Sequence, residues 1–438
     1  MKLHSSTYMQ LPKIIVQTGL AILSSLSLCW GQSNPSFLLL RGRIMSAGSG
    51  EAIPYATVSS PVNGINTMSN EEGNFIFKIP ANGIRDSVYI SHVGYASVAL
   101  AIGPSDTGIK IIRLPEKAVQ LAEVIVNPVN ALDLLRRAFA RIPDNYPSSP
   151  YIMNGFYRMS GTKQNNIIDL SEAVFDIYSP DNDRKNKQIR LIKSRADIDL
   201  TAFNGNDINL GRRPQRLLDF DMVSRIDGTE ILGERGLKDH DFVFNGTIDY
   251  DGVTAYEIGF DQKEGVERSL YRGKIIIDSQ SLAFLGFYYM LSPRGLKYWP
   301  LKQASRNGGN GQGPLHTDML RDSVVVKYRK YGGKYYLNHV YTNSQIHLYG
   351  EGENPFDCNP LVLTTNYLVT RIDTAHPEAF RKGEILKTDK IMESRSTGHS
   401  YLADVFWENY NLIEADFNVD SVAGIIRRNN KSLAGRRK

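Results

Sequence analysis

Few residues in this 438-residue chain combine the type and spacing that chemistry requires. His339 and His347 point to the same side of one strand-like run. At about 3.4 Å per residue, an extended chain holds them roughly 27 Å apart, too far to share a metal ion. Glu172 and Asp176 also share a side, about 13 Å apart on the same basis, beyond the spacing of a glycosidase carboxylate pair. Their expected partners are the basic residues Arg190, Lys193 and Arg195. Asn70, Glu71 and Glu72 offer oxygen ligands before a glycine, but not in the order of an EF-hand loop, so a solvated turn is expected.

Other motifs are missing. There is no Gly-x-Ser-x-Gly elbow and no His-Glu-x-x-His helix, and Cys358 carries no protease signature. The glycines of residues 305–314 are followed by no Lys-Ser or Lys-Thr, so they are not a phosphate cradle. No catalytic residue, metal ligand or cofactor is assigned. What remains is aromatic: Phe284, Phe287, Tyr288, Tyr289 and Tyr336 are the candidate contacts for an apolar ligand. The run Phe284 to Leu291 is apolar on both sides, so a helix, another sheet or a hydrophobic guest must cover its second face.

These aromatics need a sheet to position them. Arg272 to Asp278, Ala283 to Leu291, Val324 to Tyr331 and Lys334 to Tyr349 are rich in β-branched and aromatic residues, and they predict one antiparallel sheet. Gly332 and Gly333 sit where a two-residue hairpin turn requires positive φ. Further upstream, Leu38 to Met45, Ala56 to Pro61, Asn74 to Ile79, Ser87 to Ser91 and Lys110 to Leu114 alternate with glycine turns, the pattern of a small sandwich. Asn130 is placed to cap a helix carrying Leu132, Leu135, Phe139 and Ile142, which Pro143 and Pro147 end. Short helices are expected over Pro214 to Ser224, part of Pro377 to Arg395, and Ser421 to Asn429.

Composition fits folded domains: 42% of residues are apolar and 22% charged. Lys2 and Lys13 precede the apolar run Ile14 to Trp30, as in a secretory signal ending after Gly31. Removing that leader lowers the net charge from +5 to +3, too little to argue for nucleic acid. Leu28 before Cys29 fits lipoprotein processing poorly, so a lipid anchor at Cys29 is the lesser expectation. Without Cys29, Cys358 stands alone and no disulfide framework is possible.

Gly42-Arg43-Ile44, Ile53-Pro54-Tyr55-Ala56-Thr57-Val58, Ser69-Asn70-Glu71-Glu72-Gly73-Asn74-Phe75 and Ser91-His92-Val93-Gly94-Tyr95 resemble the carboxypeptidase regulatory-like domain. The resemblance implies a transthyretin-like sandwich of the kind found in exported proteins of Gram-negative bacteria, with no protease chemistry of its own. Leu121 to Val126 resembles the segment that follows it in outer-membrane receptors. Asn145-Tyr146-Pro147, Gly155-Phe156-Tyr157-Arg158, Ser171-Glu172-Ala173-Val174, Ile192-Lys193-Ser194-Arg195 and Phe406 to Ile413 resemble an uncharacterised β-rich family that often accompanies it. Gly273 to Asp278, taken with Tyr328 to Tyr336, is similar in pattern to the half-barrel of periplasmic lipoprotein carriers, which shelter acyl chains.

The expected protein is mainly β. A signal peptide occupies 1–31, a β-sandwich 38–115, a linker with a helix 116–150, a larger antiparallel sheet or half-barrel 151–415, and a helix with a basic tail 416–438. The expected role is a non-enzymatic binding or scaffold protein of the cell envelope, in the periplasm or associated with the outer membrane. It would take an apolar or lipid ligand or an outer-membrane partner, with no nucleic acid and no transmembrane helix in the mature chain. The alternative is an envelope hydrolase whose site assembles only in three dimensions.

Overall fold

A computed structural model describes residues 37–80, 87–102, 108–117, 130–206, 208, 210, 214–299, 312–387 and 405–436. The leader, Cys29 and Leu121 to Pro128 lie outside them. Seven strands form among the described residues of the N-terminal part, most of them set by alternation of apolar and polar residues. They are β1 (Phe37–Ser46), β2 (Thr57–Ser60), β3 (Ile65–Met68), β4 (Asn74–Pro80), β5 (Ser87–Ser91), β6 (Val98–Ala101) and β7 (Ile109–Leu114). β4, β1 and β7 form one sheet, and β3, β2, β5 and β6 face it across a core of Leu40, Ile44, Val58, Phe75, Phe77 and Ile90. Gly42 makes room for its neighbours in the same sheet, since a Cβ there would lie 2.7 Å from the Phe75 ring of β4 and 2.6 Å from the Lys110 carbonyl of β7. β3 and β6 were not among the expected strands; both are four residues long and lack a clear period-two pattern.

The rest of the described residues build ten antiparallel strands. These are β8 (Tyr151–Lys163), β9 (Asn166–Ser179), β10 (Gln188–Ile198), β11 (His240–Tyr250), β12 (Val253–Gln262), β13 (Tyr271–Asp278), β14 (Phe284–Leu291), β15 (Gln312–Tyr331), β16 (Lys334–Gly352) and β17 (Phe356–Asp373). Their order runs from β11 through β17 and then to β8, β9 and β10. Gly332 and Gly333 have φ of 53° and 85° and close the β15–β16 hairpin as expected. A single residue pair, Arg371 with Ile65, continues the ladder into β3 of the sandwich.

Helix α1 (Ala131–Ala140) begins at Asn130, whose side-chain oxygen accepts the N–H groups of Leu132 and Asp133. Its buried stripe is Ala131, Leu134, Leu135 and Ala138; the expected Leu132, Phe139 and Ile142 are only partly buried. α1 and the 3-10 turns Pro214–Phe220 and Val223–Gly228 contribute Leu135, Leu218 and Met222 to the core that holds Ile275, Phe287 and Val326 of the large sheet. Within this apolar layer Lys187 is ion-paired with Asp221, which also accepts the Tyr328 hydroxyl at 2.8 Å. Burial alone would raise the Asp221 carboxyl, but the Lys187 ammonium beside it holds it below the usual range.

Two helical expectations change. Residues 377–387 form turns, because Leu386 donates its N–H to the Ile189 carbonyl at 2.7 Å and Ile385 bridges Arg190 at the edge of β10. Residues 388–395 lie outside the described part. The last helix, Val419–Arg436, is longer than expected, and Gln312 to Pro314, at the end of the glycine-rich stretch 305–314, begin β15.

Candidate functional site

The five aromatic candidates separate by strand face. Phe284 and Phe287 are fully buried, 5.4 Å apart between ring centroids, and Phe139 of α1 lies 5.7 Å from Phe284. Tyr336 is buried edge-on against Tyr151 at 5.0 Å. The concavity expected to shelter a guest beside Phe284, Phe287 and Tyr336 is thus occupied by the protein itself. The physical reason is that α1 and the 3-10 turns bring enough apolar surface to satisfy that face.

Tyr288, with Tyr289 beneath it, borders a groove of about 530 Å³ over β12, β13, β14 and β15. Met290 and Val325 add apolar wall, and Arg272 and Lys274 stand at the lip. Period two explains the grouping: Arg272 and Lys274 are two apart on β13, and Tyr288 and Met290 are two apart on β14, so all four point outward. Lys274 pairs with Glu257 at 3.1 Å and sits 5.7 Å from the Tyr288 ring centroid. Arg272 approaches the Met290 sulfur at 3.8 Å and pairs with no carboxylate among the described residues. The Tyr288 and Tyr250 hydroxyls are 3.1 Å apart, and burial pushes both up, so both stay neutral. Met290 and Val325 were not singled out from the sequence; the available signal was the outward register of β13 and β14.

A second cleft, of about 470 Å³, lies where the 70–74 turn meets the segment 412–419. Its wall holds Arg158 and Arg195, both on the fully buried Glu172, with Nε to carboxylate distances of 2.6 and 2.5 Å. Burial would raise Glu172, but Arg158 and Arg195 hold its carboxyl below the usual range. Of the basic run expected to pair with these carboxylates, Arg195 pairs with Glu172 and Arg190 with Asp176; Lys193 lies over the Phe406 ring, and Arg158 was missed. At the rim, Asp416 accepts the Glu71 N–H at 2.8 Å, and burial, then the Glu72 side chain, push its carboxyl up to about 6. Asn70 donates to Glu72 and accepts the Asn74 N–H, so the turn satisfies its own polar groups. His347 lies against Tyr349 and beside Asp318 and Asp357, well away from His339, which stacks on Tyr55.

Residues 40–126 match the family model of the CarboxypepD_reg-like domain. No curated protein matches the chain in sequence. Among solved structures, a putative outer membrane lipoprotein-sorting protein domain from Vibrio parahaemolyticus aligns at 8% identity and TM-score 0.26, covering 57% of this chain and 95% of that one. A DUF1329 family protein from Desulfovibrio piger aligns at 10% identity and TM-score 0.25, with 57% and 95% covered. A putative membrane-associated protein from Bacteroides fragilis aligns at 8% identity and TM-score 0.14, with 77% and 99% covered. No helix of the described residues is long and apolar enough to cross a membrane.

Proposed function

We propose that this is an exported, non-enzymatic binding protein of the cell envelope whose outer groove takes an apolar chain ending in an anionic group. The observation that carries this reading is the Arg272 guanidinium, which forms no ion pair among the described residues, beside Met290 at the lip of a groove floored by Tyr288 and Val325 and also lined by Asp261. A volume of about 530 Å³ falls within the range of small-molecule sites, and one fixed cation over an apolar floor selects an amphiphile by its end group. The leader-like residues 1–31 support export to the periplasm or the inner side of the outer membrane. The division into sandwich 38–115, helical linker 116–150 and β-rich domain 151–415 is part of the same proposal. So is the assignment of Tyr288 as a ligand contact, while the Tyr289 side chain reaches Met222 in the core.

The test is displacement of a fluorescent long-chain fatty acid from the full chain, alongside native mass spectrometry of protein purified from envelopes. Arg272→Glu and Val325→Asp are each expected to weaken binding at least tenfold, about 1.4 kcal/mol, while the melting temperature stays within a degree or two. Equal binding by both variants and wild type, or no binding by wild type, would overturn the groove as the site.

A further inference from the structure

The other side of the small sandwich sheet carries a pattern that the groove does not explain. In β4, β1 and β7, Phe75, Phe77, Leu40, Ile44, Ile112 and Leu114 point into the core, so the alternate residues point out. The ladder sets these in rows: Ile76, Arg41 and Ile109 in one, Asn74, Arg43 and Ile111 in the next, then Met45 and Arg113. Ile109 and Ile111 are 77% and 61% exposed, among the most exposed large apolar side chains described. Arg41, Arg43 and Arg113 are exposed and form no ion pair among the described residues. Arg43 spends one N–H on the Glu72 carbonyl at 2.9 Å, which leaves its charge uncancelled. The carboxyl nearest in effect is Glu414, which Arg41 holds down against the rise that burial causes.

We infer that this sheet face docks on an anionic lipid surface, with the arginines at the headgroups and Ile109 and Ile111 entering the boundary beneath them. Arginine between aliphatic side chains in a flat row suits such an interface, because the guanidinium stays in the polar layer while its neighbours leave water. Three strands about 4.8 Å apart and about six residues long cover roughly 300 Å². A stable protein partner needs about 800 Å² per side, so the patch is too small for one and large enough for a peripheral membrane contact. The attraction is worth about fivefold in affinity per basic residue at the surface.

Sedimentation of the full chain with vesicles of phosphatidylcholine, with and without phosphatidylglycerol, tests this. Binding is expected only to the anionic vesicles, and it should fade as salt rises from roughly 0.1 to 1 M. Arg41→Gln, Arg43→Gln and Arg113→Gln together should weaken it about a hundredfold. The three Lys replacements should retain it, and Arg272→Glu in the groove should leave it unchanged. Circular dichroism checks that the variants fold. Binding by the triple Gln variant equal to wild type would overturn the inference, as would indifference to phosphatidylglycerol. Capture of an acidic envelope protein by this face, with vesicles ignored, would also overturn it in favour of a protein partner.

Discussion

On its inner side the large sheet presents Phe287, Tyr289 and Val326 to α1 and the 3-10 turns, and the contact is almost wholly apolar. On its outer side it receives the sandwich through a mixed seam, in which Tyr55 packs on His339 and Tyr341 and Met68 packs with Phe156, Leu368 and Trp407, alongside polar groups. Asn66 donates to Asn338 at 3.0 Å, Arg329 to the Gly64 carbonyl at 3.4 Å, and Lys327 to the Tyr55 carbonyl at 3.5 Å. A strap, 405–419, fastens the junction. Asn411 accepts the Lys78 N–H and donates to its carbonyl, at 2.8 and 2.9 Å, so its amide ends the free edge of β4 as another strand would. Thr67 donates to the Leu412 carbonyl at 3.0 Å, and Asp416 holds the Glu71 N–H. Apolar burial makes the inner contact strong and insensitive to solution conditions. The outer one adds hydrogen bonds and charges to its apolar contacts, and that polar part is open to pH.

Three substitutions sharpen that contrast. Phe287→Ala removes a fully buried ring from the inner seal and should cost about 3–5 kcal/mol in urea unfolding, equally at pH 5 and pH 7.5. A loss below about 1 kcal/mol would mean that α1 and the 3-10 turns do not seal the face.

Asp416 should behave in the opposite way. Its carboxyl is raised to about 6 in the folded chain from an ordinary value of 3.8, so the native state binds the extra proton. Its contribution is therefore full below about pH 4 and is lost as pH rises through 6. Because the side chain is buried on one side and open to solvent on the other, screening should keep the effect under about 1 kcal/mol. Asp416→Asn should flatten that slope while leaving the Phe287 core untouched, as read by hydrogen exchange at Glu71 and Thr67 across pH 5 to 7.5. An unchanged slope would break the assignment. Met290→Ala, on the outer face of the same strand as Phe287, should change stability by no more than about 0.5 kcal/mol. A larger loss would show that the groove is packed in solution.

Much of this architecture was legible in the chain. The sandwich motifs, the Gly332-Gly333 turn, the Asn130 cap and the runs that become β13 to β16 rest on local patterns. Their physical causes, positive φ, an orphan N–H and period-two burial, act within a few residues. β11, β12 and β17 were harder, since β12 and β17 mix polar and apolar residues on both faces. In β17, Tyr367, Leu368 and Val369 are buried consecutively because both faces of the strand are covered: Tyr367 and Val369 belong to the main core, while Leu368 packs with Met68 and Trp407 on the other face.

The sequence by itself determined that the chain is mainly β, that a regulatory-like sandwich stands first, and that aromatic strands follow. Which aromatic residues serve the core and which face a groove was decided only by the tertiary structure. Phe287 and Tyr288 are neighbours in the chain, and the difference between them is set by α1 and the 3-10 turns, which occupy one side of β14 and leave the other open. Whether a face is covered depends on segments distant in sequence, and alternation along a strand records that two faces exist without recording what lies against each.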